Sequence, residues 1–173
     1  MSEILSPRQI AQLKHQELLL QEKKLKLIEG LPHRYGQKFY RWAKAFFESQ
    51  NKQCFLVAAN QIGKSSIQIR KMIDWAVNAA MWPKLWPKNQ SPKMIFWYLY
   101  PSAQIATTEF EFKWVPEFLP RGDLKTHPVF GWTAKYQQGK IYCIQFNSGV
   151  SIFFKTYSQN VMDLQSGTVH YIA

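Results

Sequence analysis

Three stretches of the sequence predict an α/β fold: a mostly parallel sheet flanked by helices, with a β-hairpin inserted in it. An apolar run, Cys54 to Ala58, leads through a loop into a helix-compatible run from Ser65. A second run, Met94 to Tyr100, is apolar throughout, as a strand covered on both faces should be. Between Lys135 and Thr156, strand-like runs alternate with turn residues. The chain has 173 residues, room for one domain with an N-terminal arm.

The elements follow in order. Ser6 and Pro7 supply a helix N-cap and a first-turn proline. Ile10, Leu13 and Leu20 recur at helical spacing, with Leu27 beyond, and Gly30 and Pro32 end the helix. Glu17 and Lys24 interrupt this apolar stripe. It suits a docking helix or, more simply, a solvated arm lying on its own domain. A second helix is expected over 37–48, with Phe39, Trp42, Ala43 and Phe46 on one face. Strand 54–58, loop 59–64 and a helix over 65–80 come next. Pro83, Pro87 and Pro92 mark 81–93 as a loop. Pro101-Ser102 turns strand 94–100 into a helix near 103–114, and 116–128 reads as irregular. Lys135 to Phe146 reads as strand, turn and strand, with Gly139 in the turn. Asn147-Ser148-Gly149 turns the chain again into strand 150–156. Ser158 caps a short helix to Leu164, and 169–173 begins another apolar strand.

Composition narrows the function classes. Apolar residues make up 46% and charged residues 19%, so the chain buries a core and is not a disordered polyelectrolyte. Lys and Arg number 22 against 11 Asp and Glu, a net charge of +11 that favours polyanionic partners. No apolar run is long enough to span a bilayer, and the start, MSEILSPRQIAQLKHQ, is no secretory signal. Cys54 and Cys143 are far apart in apolar stretches and read as buried, reduced thiols. The four histidines share no ligand spacing, so a structural zinc site is not expected.

The chemistry is concentrated in Ala58-Ala-Asn-Gln-Ile-Gly-Lys-Ser65, a P-loop with alanine in place of the first glycine. Such a loop turns consecutive backbone N–H groups toward a phosphate, and the following helix adds the positive end of its dipole. The expected nucleotide-binding residues are Ala59, Asn60, Gln61, Ile62, Gly63, Lys64, Ser65 and Ser66. Lys64 reaches the β- and γ-phosphates of ATP as the catalytic cation, and the Ser65 hydroxyl ligates Mg²⁺. Upstream, the Gln37 amide can donate and accept together at the edge of adenine. Tyr35, Phe39 or Tyr40 can stack on the base. Tyr100-Pro-Ser-Ala-Gln104 suits either a DNA phosphate contact or a plain capped turn. The domain division is therefore a helical arm over 1–32 and an incomplete P-loop ATPase domain over 33–173.

These residues together resemble the ATPase domain of the large terminase subunit, the motor that packages double-stranded DNA into phage and herpesvirus capsids. Asn60-Gln-Ile-Gly-Lys-Ser65 is similar to the family's deviant P-loop, and Tyr35-Gly-Gln37 to its adenine-reading element. Tyr100-Pro-Ser-Ala-Gln104 is similar to the end of its second strand. Phe146 to Lys155 and Gln165-Ser-Gly167 look like its hairpin and following glycine. The resemblance spans about residues 33 to 173. It implies an ASCE-type P-loop NTPase sheet that stops before the acidic strand, with ATP and Mg²⁺ as cofactors. It implies double-stranded DNA, a small terminase subunit and the portal of the procapsid as partners. It also implies a homo-oligomeric ring on the portal, in the cytoplasm of a bacterial host and away from membranes. Asn60 stands where many terminases have an arginine, so another arginine is needed, and Arg121 is the candidate.

The resemblance also marks what is missing. Val169-His-Tyr-Ile-Ala173 looks like the lead-in to the acidic strand, yet no apolar strand here ends in paired carboxylates. The coupling strand and the nuclease domain of terminases would lie beyond it. Strand 54–58 would then lack the neighbours it has in the family. An intact protein would be an ATPase with a nuclease, and this chain would hydrolyse little by itself. Two other readings stand beside this one. A superfamily 1 or 2 helicase shares the glutamine element and the P-loop. A non-enzymatic nucleic-acid-binding module would use the charge, exposed Trp82, Trp86 and Trp132, and the hairpin.

Overall fold

The structure, a computed structural model, describes residues 7–36, 38–51, 53–57, 59, 62–86, 93–157 and 168–173. Helix α1 (Pro7–Gly30) comes first, then the single turn α2 (Pro32–Tyr35) and α3 (Arg41–Glu48). Helix α4 (Lys64–Val77) is followed by a 3-10 turn and the short α5 (Trp82–Leu85). Strand β1 (Met94–Tyr100) leads into α6 (Ala103–Glu109). The chain then widens into a π-helical stretch, Phe110–Phe118, and the Leu119 N–H reaches back five residues to the Trp114 carbonyl at 2.8 Å. Strands β2 (Trp132–Gln137), β3 (Lys140–Phe146), β4 (Val150–Thr156) and β5 (Tyr171–Ile172) complete the sheet.

The strand order is β2-β3-β4-β1-β5. The β2·β3 and β3·β4 pairs are antiparallel, whereas β1 runs parallel to both β4 and β5. This overturns the expected fold class. The sheet is mixed, and nothing in it establishes a parallel P-loop NTPase fold. Turn chemistry explains the antiparallel half. Gln138 and Gly139 both take positive φ (51° and 72°), the two-residue turn that matches the twist of a hairpin. Gly149, at φ 101°, closes the turn into β4. Such short turns join only antiparallel neighbours. The hairpin thus supplies two of the five strands of the sheet itself rather than an insertion into it.

The second correction concerns the expected strand at 54–58. Residues 53–57 form no strand, and Phe55 and Val57 are 90% and 96% exposed. A strand exists only by pairing, and no described residue supplies a partner ladder to this run. With the run goes the expectation for its cysteine: Cys54 is exposed, while Cys143 is buried as expected. The arm also departs from expectation. Residues 7–27 of α1 are exposed, and its packed end meets α2 and the 3-10 turn at Gly122–Lys125. The helix expected over 37–48 starts at Arg41. The helix expected at Ser158–Leu164 lies outside the described residues.

One core binds these elements together. Ile69, Met72 and Ile73 of α4 pack with Phe96 and Tyr98 of β1, Ile144 of β3 and Ile152 of β4. Phe110, Trp114 and Phe118 belong to the same cluster. In β4 the buried residues alternate, Val150, Ile152, Phe154 and Thr156, as a period-two strand requires. Among the described residues no helix is long and apolar enough to cross a membrane.

Candidate functional site

The loop ahead of α4 is built from one backbone conformation. Gly63, at the N-cap, has φ 88° and ψ 22°, a left-handed geometry that glycine adopts without steric cost. A Cβ there would meet nothing within 4 Å, so the space over the turn is open. The Ile67 N–H makes a helical bond to the Gly63 carbonyl at 3.0 Å. The N–H groups of Lys64, Ser65 and Ser66 precede it and have no acceptor inside the helix. The first turn of α4 also carries no acidic side chain. The helix dipole and a lysine therefore meet at one place, which suits an anion.

Two side-chain contacts shape this place. The Lys64 Nζ donates to the Ala59 carbonyl at 2.6 Å, closing the loop over the helix start. The Ser65 hydroxyl lies close to that of Tyr98, a residue of β1 only 5% exposed. Burial, with a contribution from Glu109, raises the Tyr98 pKa far above its usual value, so its hydroxyl stays neutral. Next along β1, the Tyr100 hydroxyl donates to Glu109 Oε2 at 3.3 Å and accepts from Trp114 Nε1 at 2.9 Å. The helix start, the centre of β1 and the carboxylate of α6 thus share one polar neighbourhood. Sequence reasoning missed Tyr98 and Glu109, because nothing in MIFWYLY distinguishes a tyrosine that touches the loop from one that fills the core.

Of the expected site residues, the structure places Ala59, Ile62, Gly63, Lys64, Ser65 and Ser66 at this loop. Gln37, Asn60 and Gln61 lie outside the described residues. The chain on both sides of Gln37 is nonetheless tied to α4. Arg70 Nε donates to the His33 carbonyl at 2.6 Å, and its guanidinium lies 3.8 Å over the Phe39 ring. One residue on, Lys71 Nζ donates to the carbonyls of Phe46 and Ser49 at 2.7 and 2.6 Å. Burial lowers the pKa of Lys71. Arg34 Nε meets the buried Asp74 carboxylate at 3.4 Å. The helix that starts with Lys64 and Ser65 therefore holds the described residues 33–34 and 39–49.

Other expected positions have structural duties. Ser102 accepts from the Ile105 N–H at 3.3 Å, which makes Tyr100 to Gln104 a capped turn. The Arg121 guanidinium donates to the carbonyls of Glu29 (3.0 Å) and Pro116 (3.5 Å), fastening the end of α1. Trp82, Trp86 and Trp132 are not exposed. Their indole N–H groups donate to the carbonyls of Trp75, His170 and Pro120 at 2.8, 2.9 and 2.7 Å. The exposed rings that the binding-module reading expects are therefore partly or fully packed, Trp132 being buried and Trp82 and Trp86 half-buried. Among the described residues, no three His, Cys, Asp or Glu side chains gather as a metal site. A groove of about 1150 Å³ lies elsewhere, between Phe46, Lys71 and Trp75 on one side and His170 to Ala173 on the other.

No protein-family model, curated protein or solved structure matches the chain.

Proposed function

We propose that the chain is the ATP-binding part of a motor that moves double-stranded DNA, of the terminase large-subunit type. The observation that carries the reading is the turn at Gly63. It starts α4 with Lys64 and Ser65 directly after a left-handed glycine, so the three N–H groups of residues 64–66 that no helical carbonyl accepts, a lysine and a serine hydroxyl belong to one helix start. The residue types fit a nucleotide with Mg²⁺. The N–H groups of residues 64–66 would hold the phosphates, Lys64 would leave Ala59 for them, and Ser65 would offer its oxygen to the metal. The metal would supply charge neutralisation at the phosphates. The Ser65 hydroxyl lies beside Tyr98 of β1, and Arg70 and Lys71 bind His33 and Phe46 to the same helix. The net charge of +11 suits contact with DNA backbone without sequence readout. A small terminase subunit, the portal of a procapsid and a homo-oligomeric ring belong to the same reading through the resemblance alone.

Lys64→Ala tests it. Titration with a fluorescent ATP analogue and Mg²⁺ should show binding that the substitution weakens by about tenfold to a hundredfold, the weight of a charge-assisted contact. Affinity for duplex DNA in the same proteins should change little. If Lys64→Ala leaves nucleotide affinity unchanged, the loop is an ordinary helix start. Absence of nucleotide binding combined with salt-sensitive DNA binding would instead favour the non-enzymatic module.

A further inference from the structure

Helix α1 is 24 residues long, about 36 Å, and residues 7–27 of it are exposed. Leu13, Leu20 and Leu27 recur every seven residues, with Ile10 three residues ahead of Leu13. They are 49%, 66%, 37% and 42% exposed. On a helix these positions form one seam, the a and d positions of three heptads. Glu17 and Lys24 occupy the other two a positions on that seam. Neither has an ion-pair partner among the described residues, and the Glu22–Lys26 pair, at 3.0 Å, lies on the opposite face.

We infer that this seam pairs with the α1 helix of a second copy of the chain, in antiparallel orientation. The two seam charges decide both the partner and the direction. They are opposite in sign and one heptad apart, so they are self-complementary about a twofold axis passing between them. An antiparallel pair brings each Glu17 within reach of the Lys24 of the second copy, twice by symmetry. A parallel, in-register pair would set Glu17 against Glu17 and Lys24 against Lys24, which is repulsive. A different protein would not need this internal symmetry of charge. Polar a positions lower affinity while specifying register, and three heptads are few, so the dimer is weak and concentration-dependent. The pairing is independent of the nucleotide proposal, because α1 lies outside the loop and its contacts.

Sedimentation equilibrium of the full chain reads the result directly. The expected behaviour is a monomer–dimer equilibrium. Glu17→Lys should raise the dissociation constant by about tenfold or more through Lys–Lys repulsion, and Lys24→Glu should do the same through Glu–Glu repulsion. The double swap, Glu17→Lys with Lys24→Glu, should restore dimerisation to near the original level. Leu19→Gln, about 140° round the helix from Lys24, should leave it unchanged. Glu17, Leu19 and Lys24 are all exposed, so these variants keep the fold. A chain that stays monomeric at all concentrations overturns the proposal. So does a dimer that survives both single swaps, or one that the double swap fails to rescue.

Discussion

Replacing Trp114 by alanine should lower the unfolding free energy by about 4 kcal/mol. The side chain is fully buried between sheet and helix. Its ring stands edge-on to Phe154 and Tyr98 at centroid distances of 5.1 and 5.2 Å. Truncation would empty that space, and the surrounding strands could close it only in part. It would also remove the donor that Tyr100 receives at 2.9 Å. Trp114→Phe should cost less, since it keeps an aromatic body and loses the N–H. Urea denaturation followed by far-ultraviolet circular dichroism measures both. A loss below about 1.5 kcal/mol for Trp114→Ala would mean that the helix after β1 does not pack on the sheet in this way.

Acid should destabilise the protein well before most carboxylates titrate, through His33. This residue of α2 is fully buried, and among the described residues no group has hydrogen-bond geometry at either ring nitrogen. Burial, together with the nearby Arg34 and Arg70 charges, pushes its pKa down to about 3 from 6.5, against a small opposing effect of the Phe118 backbone. In that window the unfolded chain binds a proton that the folded chain refuses. Stability from this group is therefore intact above 6.5 and is lost as the pH falls toward 3. The slope approaches about 1.4 kcal/mol per pH unit, or about 2 kcal/mol by pH 5. His33→Phe should flatten that slope and cost little at neutral pH, because the ring is retained and an unsatisfied buried polar group is removed. Asp74, whose pKa burial raises, contributes with the opposite sign and is common to both proteins. Unfolding free energies of the two proteins between pH 5 and 8 decide the matter. Parallel curves would show that His33 is accessible to water and protons.

Much of the local structure was legible because its causes are local. Leu13, Leu20 and Gly30 mark α1, and the apolar run at 94–100 marks a buried strand. Gly139 and Gly149 mark turns whose positive φ no other residue type adopts as readily. The start of α4 was legible for the same reason, since Gly63 and the lysine after it act within one turn of backbone. The helix after β1 ran past its expected end, because the wide turns of 110–118 accommodate Pro116 without a break. At Cys54 to Val57 the apolar run of a strand was present and the strand was not. Its formation depended on a neighbour, which is a property of the sheet and not of the run.

By itself, the sequence determined the turns, the glycine before Lys64, and the seam of α1 with its two opposed charges. Each rests on backbone sterics or helical spacing, which act over a few residues. Only the tertiary structure decided strand direction in the sheet, the closeness of Tyr98 to Ser65 and the burial of Arg70, Lys71 and Asp74. Nothing in KSSIQIRKMIDWAV separates these charged residues from solvated ones. Carbonyls of the segment 33–49, more than twenty residues away, meet α4 across the fold and satisfy Arg70 and Lys71, while Arg34 of the same segment supplies Asp74 with an opposite charge.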